Sequence, residues 1–169
     1  MNLLTFTIVS PLAAAGLIGL TPRNYRFLIR LVALFATLLS MGAATWLFVA
    51  FEPGKAGLQF EQQTAWVPAL GIGYHVGVDG LNVGLVLMGA IVAFTAVCVS
   101  REIGERQKEY YILLLLMSGG ILGALASLDL FCIYFFHELA LVPTFLMVGI
   151  WGRGADRDYA AYQIAIYLS

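Results

Sequence analysis

Charged side chains are scarce in this 169-residue chain: 11% of its residues are Asp, Glu, Lys or Arg, whereas 61% are hydrophobic. A typical soluble domain has about 25% charged residues, so this composition excludes an ordinary water-soluble fold. The formal net charge is −1 and the sequence has no polybasic run, which argues against a nucleic-acid partner and against a basic membrane-surface anchor. The composition predicts an integral membrane protein in contact with the lipid bilayer.

Cysteine and histidine are also rare, with two residues each. Cys98 lies near the inner end of one apolar segment and Cys132 near the outer end of another, so we expect them to be much farther apart than the ~7 Å Cα limit of a disulfide. We interpret both as free, buried thiols. The sequence has no CxxC motif and no Cys/His cluster, so we expect neither a metal site nor an iron–sulfur site in this chain.

Apolar segments long enough to cross a membrane make up most of the chain. About 20 residues of helix span the hydrocarbon core, and five complete segments are predicted, at 3–20, 27–51, 81–99, 110–128 and 130–151. A sixth begins at 159 and reaches the last residue after a rise of only ~16 Å. We therefore expect an all-α, polytopic transmembrane helix bundle with five complete spans and the start of a sixth, as the N-terminal part of a longer protein.

Positive charges are distributed unequally between the two sides of this bundle. Eight of the nine Lys and Arg residues fall in the connections after the first, third and fifth spans, whereas Lys55 falls on the other side. The positive-inside rule places the eight in the cytoplasm. This predicts an N-terminus on the outer face, as well as an outer loop at 51–78, and favours a bacterial inner membrane.

The loop at 51–78 is the only long polar connection, and Gly and Pro punctuate it. Its segments 58–66 and 72–78 are predicted to form a short hairpin on the membrane surface. We interpret His75 as a solvated or interfacial side chain rather than a ligand. Asp79, which ends the loop, can cap the third span because its carboxylate accepts hydrogen bonds from free helix-terminal N–H groups. Direct ion handling by Asp79 is the alternative.

The fourth and fifth spans are predicted to be antiparallel neighbours because only a short turn joins them. In the fourth span, Gly119 and Gly123 form a G-x-x-x-G pair. Small residues at this spacing predict that another helix approaches closely.

Glu138 is the one carboxylate in the apolar segment 130–151. It lies about eight residues from the outer end, or roughly 12 Å deep, where a charged group costs roughly 2.5–3.5 kcal/mol on insertion scales. Burial favours its neutral form, whereas a nearby cation favours its charged form. A carboxyl balanced between these influences can load and release a proton, so we predict proton transfer at Glu138. The alternative is a buried ion pair that only fixes helix packing.

Three neighbours of Glu138 are candidates for the same site. Pro143 lacks an N–H group and frees the carbonyl of Leu139, which predicts a helix distortion and a polar spot one turn inward. Tyr134 precedes Glu138 by four residues and shares its helix face, so its hydroxyl can belong to the same path. His137 lies ~100° away around the helix. We interpret it as a hydrogen-bonded residue at a helix–helix contact, with titration near neutral pH as the alternative.

Two strings in the sequence resemble a known family. They are GVDGLNVGLVLM at 77–88 and FFHELALVPTFLMVGIWG at 135–152, and they are similar to the M-type subunit, or chain 4, of the proton-translocating NADH:quinone oxidoreductase, respiratory complex I. The resemblance covers nearly all of the chain. The sequence departs from the family at His137, where Trp is frequent.

The resemblance implies that 1–109 is an N-terminal three-helix region and that 110–169 starts the first proton-translocating repeat of an antiporter-like subunit. It implies that Glu138 is the family's essential glutamate, paired with a lysine beyond residue 169. It also implies that other membrane-arm subunits are partners of the chain. NADH, FMN, iron–sulfur clusters and quinone are then bound by those partners, so the chain is part of an enzyme, a translocase, without holding a redox centre. A multi-subunit sodium/proton antiporter would share Glu138 and is the alternative function.

Overall fold

Six α-helices and one β-hairpin make up the described part of the chain in the computed structural model, which covers residues 2–55, 57–67, 72–152 and 156–168. In chain order the elements are α1 Leu3–Leu20, α2 Arg26–Ala50, β1 Gln59–Val67, β2 Ile72–Val78, α3 Asn82–Val99, α4 Gln107–Ala126, α5 Leu130–Trp151 and α6 Arg157–Leu168. The helices α1 to α5 are each long and apolar enough to cross a membrane. The predicted helical membrane bundle and its five spans are thereby confirmed.

The bounds of the helices differ from the predicted spans by a few residues. The largest shift is in α4, which begins at Gln107 because three polar residues extend the helix before its apolar part. The start of the predicted sixth span corresponds to α6, and residue 169 lies outside the described residues.

Helix α4 is the centre of the bundle, since it packs against α1, α3 and α5 and also touches α2. Half of its most apolar stretch is buried, compared with 17% for α5. Helix α5 contacts α4 on one side and α6 and the hairpin at its ends. Much of the surface of α5, which holds Glu138, therefore faces away from the bundle.

Glycines on α4 let two neighbouring helices approach it closely. A Cβ atom at Gly120 would lie 2.7 Å from the backbone N of Ala140 and 2.8 Å from the carbonyl O of Phe136, both on α5. A Cβ atom at Gly123 would overlap the Phe136 ring, and one at Gly119 would overlap a side chain of α1. The predicted close approach is present, but Gly119 and Gly123 face different helices and Gly120 makes the tightest backbone contact.

Proline in α1 is compensated by a neighbouring helix. Pro11 lacks an N–H group, so the carbonyl of Thr7 has no partner four residues later. The Ser40 hydroxyl of α2 donates a hydrogen bond to this oxygen at 2.7 Å and is itself buried. This contact meets the requirement that backbone polar groups at membrane depth find protein partners.

The hairpin closes one end of the bundle. Strands β1 and β2 pair in antiparallel fashion, with Gln63 opposite His75 and Thr64 opposite Tyr74. Val76 and Val78 of β2 are fully buried in a cluster with residues of α1 to α5. The predicted hairpin is therefore present, but β2 forms part of the core instead of lying on a surface.

Polar contacts fasten the hairpin to the start of α1. The Asn2 side chain donates hydrogen bonds to the carbonyls of Phe60 and Glu61, at 3.1 and 3.2 Å. The Thr5 hydroxyl donates to the Gln62 side-chain oxygen at 2.7 Å and lies 3.1 Å from the Tyr74 hydroxyl. The hairpin is thus held by both buried valines and side-chain hydrogen bonds.

The same hairpin holds the turn between α4 and α5. The backbone N–H of Leu128 donates to the carbonyl of His75 at 2.9 Å, and the Cys132 thiol donates to the carbonyl of Gly73 at 3.2 Å. Cys98 and Cys132 are both free. The His75 ring lies 2.7 Å from the Glu61 carboxylate and is partly exposed, so it forms an ion pair within the hairpin when protonated.

We expect Gly120→Ala to lower the stability of the full-length protein by about 1–3 kcal/mol, the usual cost of overpacking, because both nearest atoms belong to the α5 backbone. Thermal unfolding of the purified protein measures this loss. Gly42→Ala is the matched control, since nothing lies within 4 Å of a Cβ atom there. Equal stability of the two variants would contradict the proposed tight contact.

Burial raises the pKa of Tyr74 above its ordinary value, although the hydrogen bond with Thr5 partly lowers it. The neutral phenol therefore stabilises the docked hairpin fully below pH ~10, and this contribution is lost as the pH rises through the folded-state pKa. We expect wild-type protein to lose protection of 51–78 from an added protease as the pH rises above about 10. In Tyr74→Phe this pH dependence should be weaker. Tyr25→Phe, at the other end of the bundle, is the control and should behave as wild type. Identical profiles for the Tyr74 variant and wild type would refute the role of Tyr74 in this pH dependence.

Candidate functional site

Glu138 lies in an open, apolar groove between α4 and α5, with a volume of about 490 Å³. Its lining consists of Leu113 and Leu116 from α4 and Phe135, Glu138, Leu139, Val142, Pro143 and Leu146 from α5. Glu138 is half-buried and is the one titratable residue among those that line the groove. No cation of the described residues lines it, so any counter-charge has to enter from the open side.

Tyr134 lies beside Glu138, as their spacing of four residues predicts. Its hydroxyl is near enough to the Glu138 carboxylate to interact with it electrostatically. The Tyr134 side chain is 62% exposed, so it borders the open side of the groove. The two side chains together form a small polar patch on a mostly apolar helix.

Pro143 is buried and lines the same groove. It deprives the Leu139 carbonyl of its helical donor, and Leu139 also lines the groove. One residue further, the Thr144 hydroxyl donates to the carbonyl of Ala140 at 2.8 Å, a contact that commonly bends helices. The structure thus places Glu138 and Pro143 in the lining of one groove, with Tyr134 one helical turn from Glu138.

His137 and Asp79 are not brought into this groove. The His137 ring is half-buried, and among the described residues it has no hydrogen-bond partner, so the expected hydrogen bond at a helix–helix contact is not made there. The Asp79 carboxylate accepts hydrogen bonds from the N–H groups of Leu81 and Asn82, at 2.9 and 2.7 Å. It therefore caps α3, a helix that packs against α2 and α4.

Gly120 is the residue that the sequence reasoning did not assign to the site. Its contact with the backbone of Phe136 and Ala140 brackets Glu138 on both sides. The signal was present in the sequence as three glycines within five residues of α4. Spacing alone could not show which of them faces α5.

Among the described residues, the groove holds one ionisable side chain and no cluster of metal ligands. Within the described part of the chain, no group of three or more His, Cys, Asp and Glu residues is placed to hold a metal ion. Glu138 can gain or lose a proton, and the Tyr134 hydroxyl can donate to it or accept from it. The chemistry that this arrangement supports is proton transfer controlled by charges that approach the open groove.

The sequence of the chain is similar to those of several known proteins. No protein-family model matches the chain. It is 36% identical to F(420)H(2) dehydrogenase subunit M of Methanosarcina mazei over 78% of its length, and 33% identical to NADH-quinone oxidoreductase subunit M of Rhodobacter capsulatus over 98%. It is 34% identical over 97% of its length to an NAD(P)H-quinone oxidoreductase chain 4 of Synechococcus elongatus.

The fold matches a chain in the structure of respiratory complex I from Thermus thermophilus with bound NADH. The TM-score is 0.79 at 28% sequence identity, and the match covers 99% of this chain and 32% of that one. Of the three relatives, the chain covers 26%, 33% and 31% respectively, so it spans about a third or less of their length. The described helices and these similarities identify an integral, multi-pass membrane protein. Over the part of these relatives that it covers, the chain is similar to subunit M/chain 4 of the NADH-quinone oxidoreductases.

Proposed function

We propose that this chain is part of a proton-translocating membrane-arm subunit of an NADH:quinone oxidoreductase, which couples electron transfer from NADH to quinone to proton transport. The observation that carries the proposal is the Glu138 carboxyl in a groove that is apolar, open on one side and shared by α4 and α5. The similarity to subunit M of Rhodobacter capsulatus supports the assignment to such a complex. The other membrane-arm subunits are the proposed partners.

The groove makes the charge on Glu138 depend on a cation from outside the described residues. A charged group at this depth costs roughly 2.5–3.5 kcal/mol on insertion scales, whereas a cation about 4 Å away contributes about 4 kcal/mol at an effective dielectric of 20. These two energies are similar in size. A cation that approaches the groove therefore favours the carboxylate, and one that withdraws favours the neutral acid.

Proton movement follows from this balance. When the cation withdraws, Glu138 binds a proton; when the cation returns, Glu138 releases it. Tyr134 lies at the edge of the groove and passes the proton to or from the carboxyl by its hydroxyl. The freed Leu139 carbonyl at Pro143 offers an acceptor for water on the inner side.

Redox chemistry belongs to partner subunits in this proposal. The chain's own residues bind no NADH, FMN, iron–sulfur cluster or quinone, and its part is to move a proton. The relatives' names differ in their electron donor, which fits a subunit that does not itself contact the donor.

We place the N-terminus outside a bacterial inner membrane. The described cations at one end of the bundle lie in its connections or in the adjoining first turns of helices, and they are Arg23, Arg26, Arg30, Arg101, Arg106, Lys108 and Arg157. Lys55 lies in the connection at the other end, and Arg153 lies outside the described residues. The positive-inside rule supports this orientation. We also propose that the first translocating repeat starts at 110, after an N-terminal region at 1–109. This boundary follows the order of the helices along the chain. It does not separate two packing units, because α4 packs tightly against α1 and α3.

We expect Glu138→Gln in the full-length subunit to leave the complex assembled and to lower proton pumping and coupled quinone reduction by roughly tenfold or more, as loss of an acid–base group does. Pumping in membrane vesicles energised with NADH measures this effect. Unchanged pumping in an assembled complex would overturn the role of Glu138. Sodium-dependent proton efflux from the same vesicles without NADH would support the antiporter alternative instead.

His137→Phe is the matched control for that experiment. The ring lies ~100° around the helix from Glu138 and has no hydrogen-bond partner among the described residues, so pumping should be largely retained. A severe loss of pumping with normal assembly would show that His137 takes part in proton transfer.

We expect Tyr134→Phe to shift the infrared carboxyl stretching band of Glu138, because the hydroxyl that interacts with the carboxyl is lost. The band is identified by its absence in Glu138→Gln. Tyr162→Phe removes an exposed hydroxyl from a different helix, α6, and should leave the band in place. A band unmoved by Tyr134→Phe would exclude Tyr134 from the proton path.

A further inference from the structure

A basic pocket lies at the opposite end of the bundle from the hairpin, and the proton-transfer proposal does not use it. Its volume is about 230 Å³, and it is lined by Arg23, Arg26, Gly104, Arg106, Gln107, Lys108 and Glu109. Four of these residues are cationic and one is anionic. The cations come from two different connections, between α1 and α2 and between α3 and α4, so the fold assembles the pocket from separate parts of the chain.

Two of the four cations already have partners within the protein. Arg23 forms a 2.6 Å ion pair with Glu109, and the Lys108 ammonium group donates to the carbonyl of Gly19 at 2.8 Å. These contacts hold in place side chains that line the pocket. The ion pair also neutralises the one anionic residue of the lining. In the described part of the chain, Arg26 and Arg106 have no ion-pair partner, so they supply the pocket's unneutralised positive charge.

The starts of two long helices add to this positive potential. Helix α2 begins at Arg26 and α4 at Gln107, and no side chain caps either start. The first N–H groups of a helix and its dipole favour an anion nearby. Both helix starts border the pocket, so their effect has the same sign as that of the arginines.

The surroundings of the pocket are those of a lipid rather than of a free ion. Leu20, Phe27 and Val99 lie in the helix ends that flank the same two connections, and they are 86%, 80% and 81% exposed. They end or begin helices that cross the membrane, so the pocket lies at the boundary between hydrocarbon and water. Basic pockets between transmembrane helices on the cytoplasmic side are suited to acidic headgroups.

We infer that this pocket binds the phosphate of an anionic phospholipid, with Arg26 and Arg106 as the principal contacts and the acyl chains against the neighbouring exposed apolar side chains. The inference is independent of proton transfer at Glu138. Only the naming of the leaflet, the cytoplasmic one, rests on the proposed orientation.

The test uses the complex that contains the full-length subunit, in phosphatidylcholine nanodiscs with a phosphatidylglycerol probe that carries a photoreactive group near its headgroup. Crosslinks are mapped by peptide mass spectrometry. We expect them in 20–30 and 100–110 of wild-type protein. In Arg26→Gln/Arg106→Gln the apparent affinity should fall about fivefold for each removed cation, hence about 25-fold for the pair.

Arg30→Gln/Arg101→Gln is the matched control, because it removes two cations from the same end of the bundle that do not line the pocket. Its affinity should fall less than about twofold, as expected for charges outside the contact. Equal losses in both double variants would indicate a diffuse surface attraction and overturn the site. Unchanged crosslinking in the pocket variant would overturn it as well.

Competition on the wild-type complex tests the ligand without any substitution, and it decides the matter if the pocket variant does not assemble. Unlabelled phosphatidylglycerol should displace the probe from both segments, and phosphatidylcholine should not. Displacement by millimolar inorganic phosphate as effective as that by phosphatidylglycerol would show a free-anion site and refute the lipid assignment.

Discussion

The contact between the backbones of α4 and α5 at Gly120 determines where Glu138 lies. Helix α4 is held from several sides by its neighbours, whereas α5 is held in the membrane mainly by α4. Gly120 meets α5 at Phe136 and Ala140, the residues two before and two after Glu138. Two residues correspond to about 200° around a helix, so Glu138 is turned away from this contact and toward the open groove. A residue without a side chain thus sets the direction of the one carboxylate in α5.

The two intramembrane prolines each leave one backbone carbonyl without its helical donor, but the surroundings of the two carbonyls differ. In α1, the carbonyl that Pro11 frees is bonded by a buried serine of the adjacent helix. In α5, Pro143 frees the carbonyl of Leu139, a residue that borders the open groove. The free carbonyl in α1 is thus hydrogen-bonded within the bundle. The free carbonyl in α5 lies where water or a partner group has access, one turn from Glu138, as expected of irregular backbone that lines a polar path.

The sequence allowed the spans to be predicted well because their length and apolarity follow directly from the thickness of the bilayer. It was less informative about contacts between elements. The hairpin was predicted from its Gly and Pro residues, but the burial of Val76 and Val78 depends on α1 and α4, which are distant in sequence. Similarly, the glycines of α4 predicted close packing without indicating that Gly119 faces α1 and Gly120 faces α5.

The site could be predicted only in part for a related physical reason. A lone carboxylate at membrane depth is conspicuous in a sequence because it is costly, and the neighbour four residues earlier follows from the helix period. The shape of the groove depends on Leu113 and Leu116 from α4, whose facing no local pattern reveals. The position of His137 outside the groove, in contrast, agrees with the ~100° that separates neighbouring residues on a helix.

The closed end of the bundle limits the routes by which a proton can reach Glu138. Val76 and Val78 of the hairpin are fully buried, and the hairpin is hydrogen-bonded to Leu128 in the turn before α5 and to Cys132 in its first turn. These contacts leave little room for water between the hairpin and the α4–α5 pair. The groove, in contrast, is open along the side where Tyr134 is exposed. The geometry therefore favours lateral exchange of the proton, through groups that approach α5 from the side, over a path that runs straight to the nearer membrane surface.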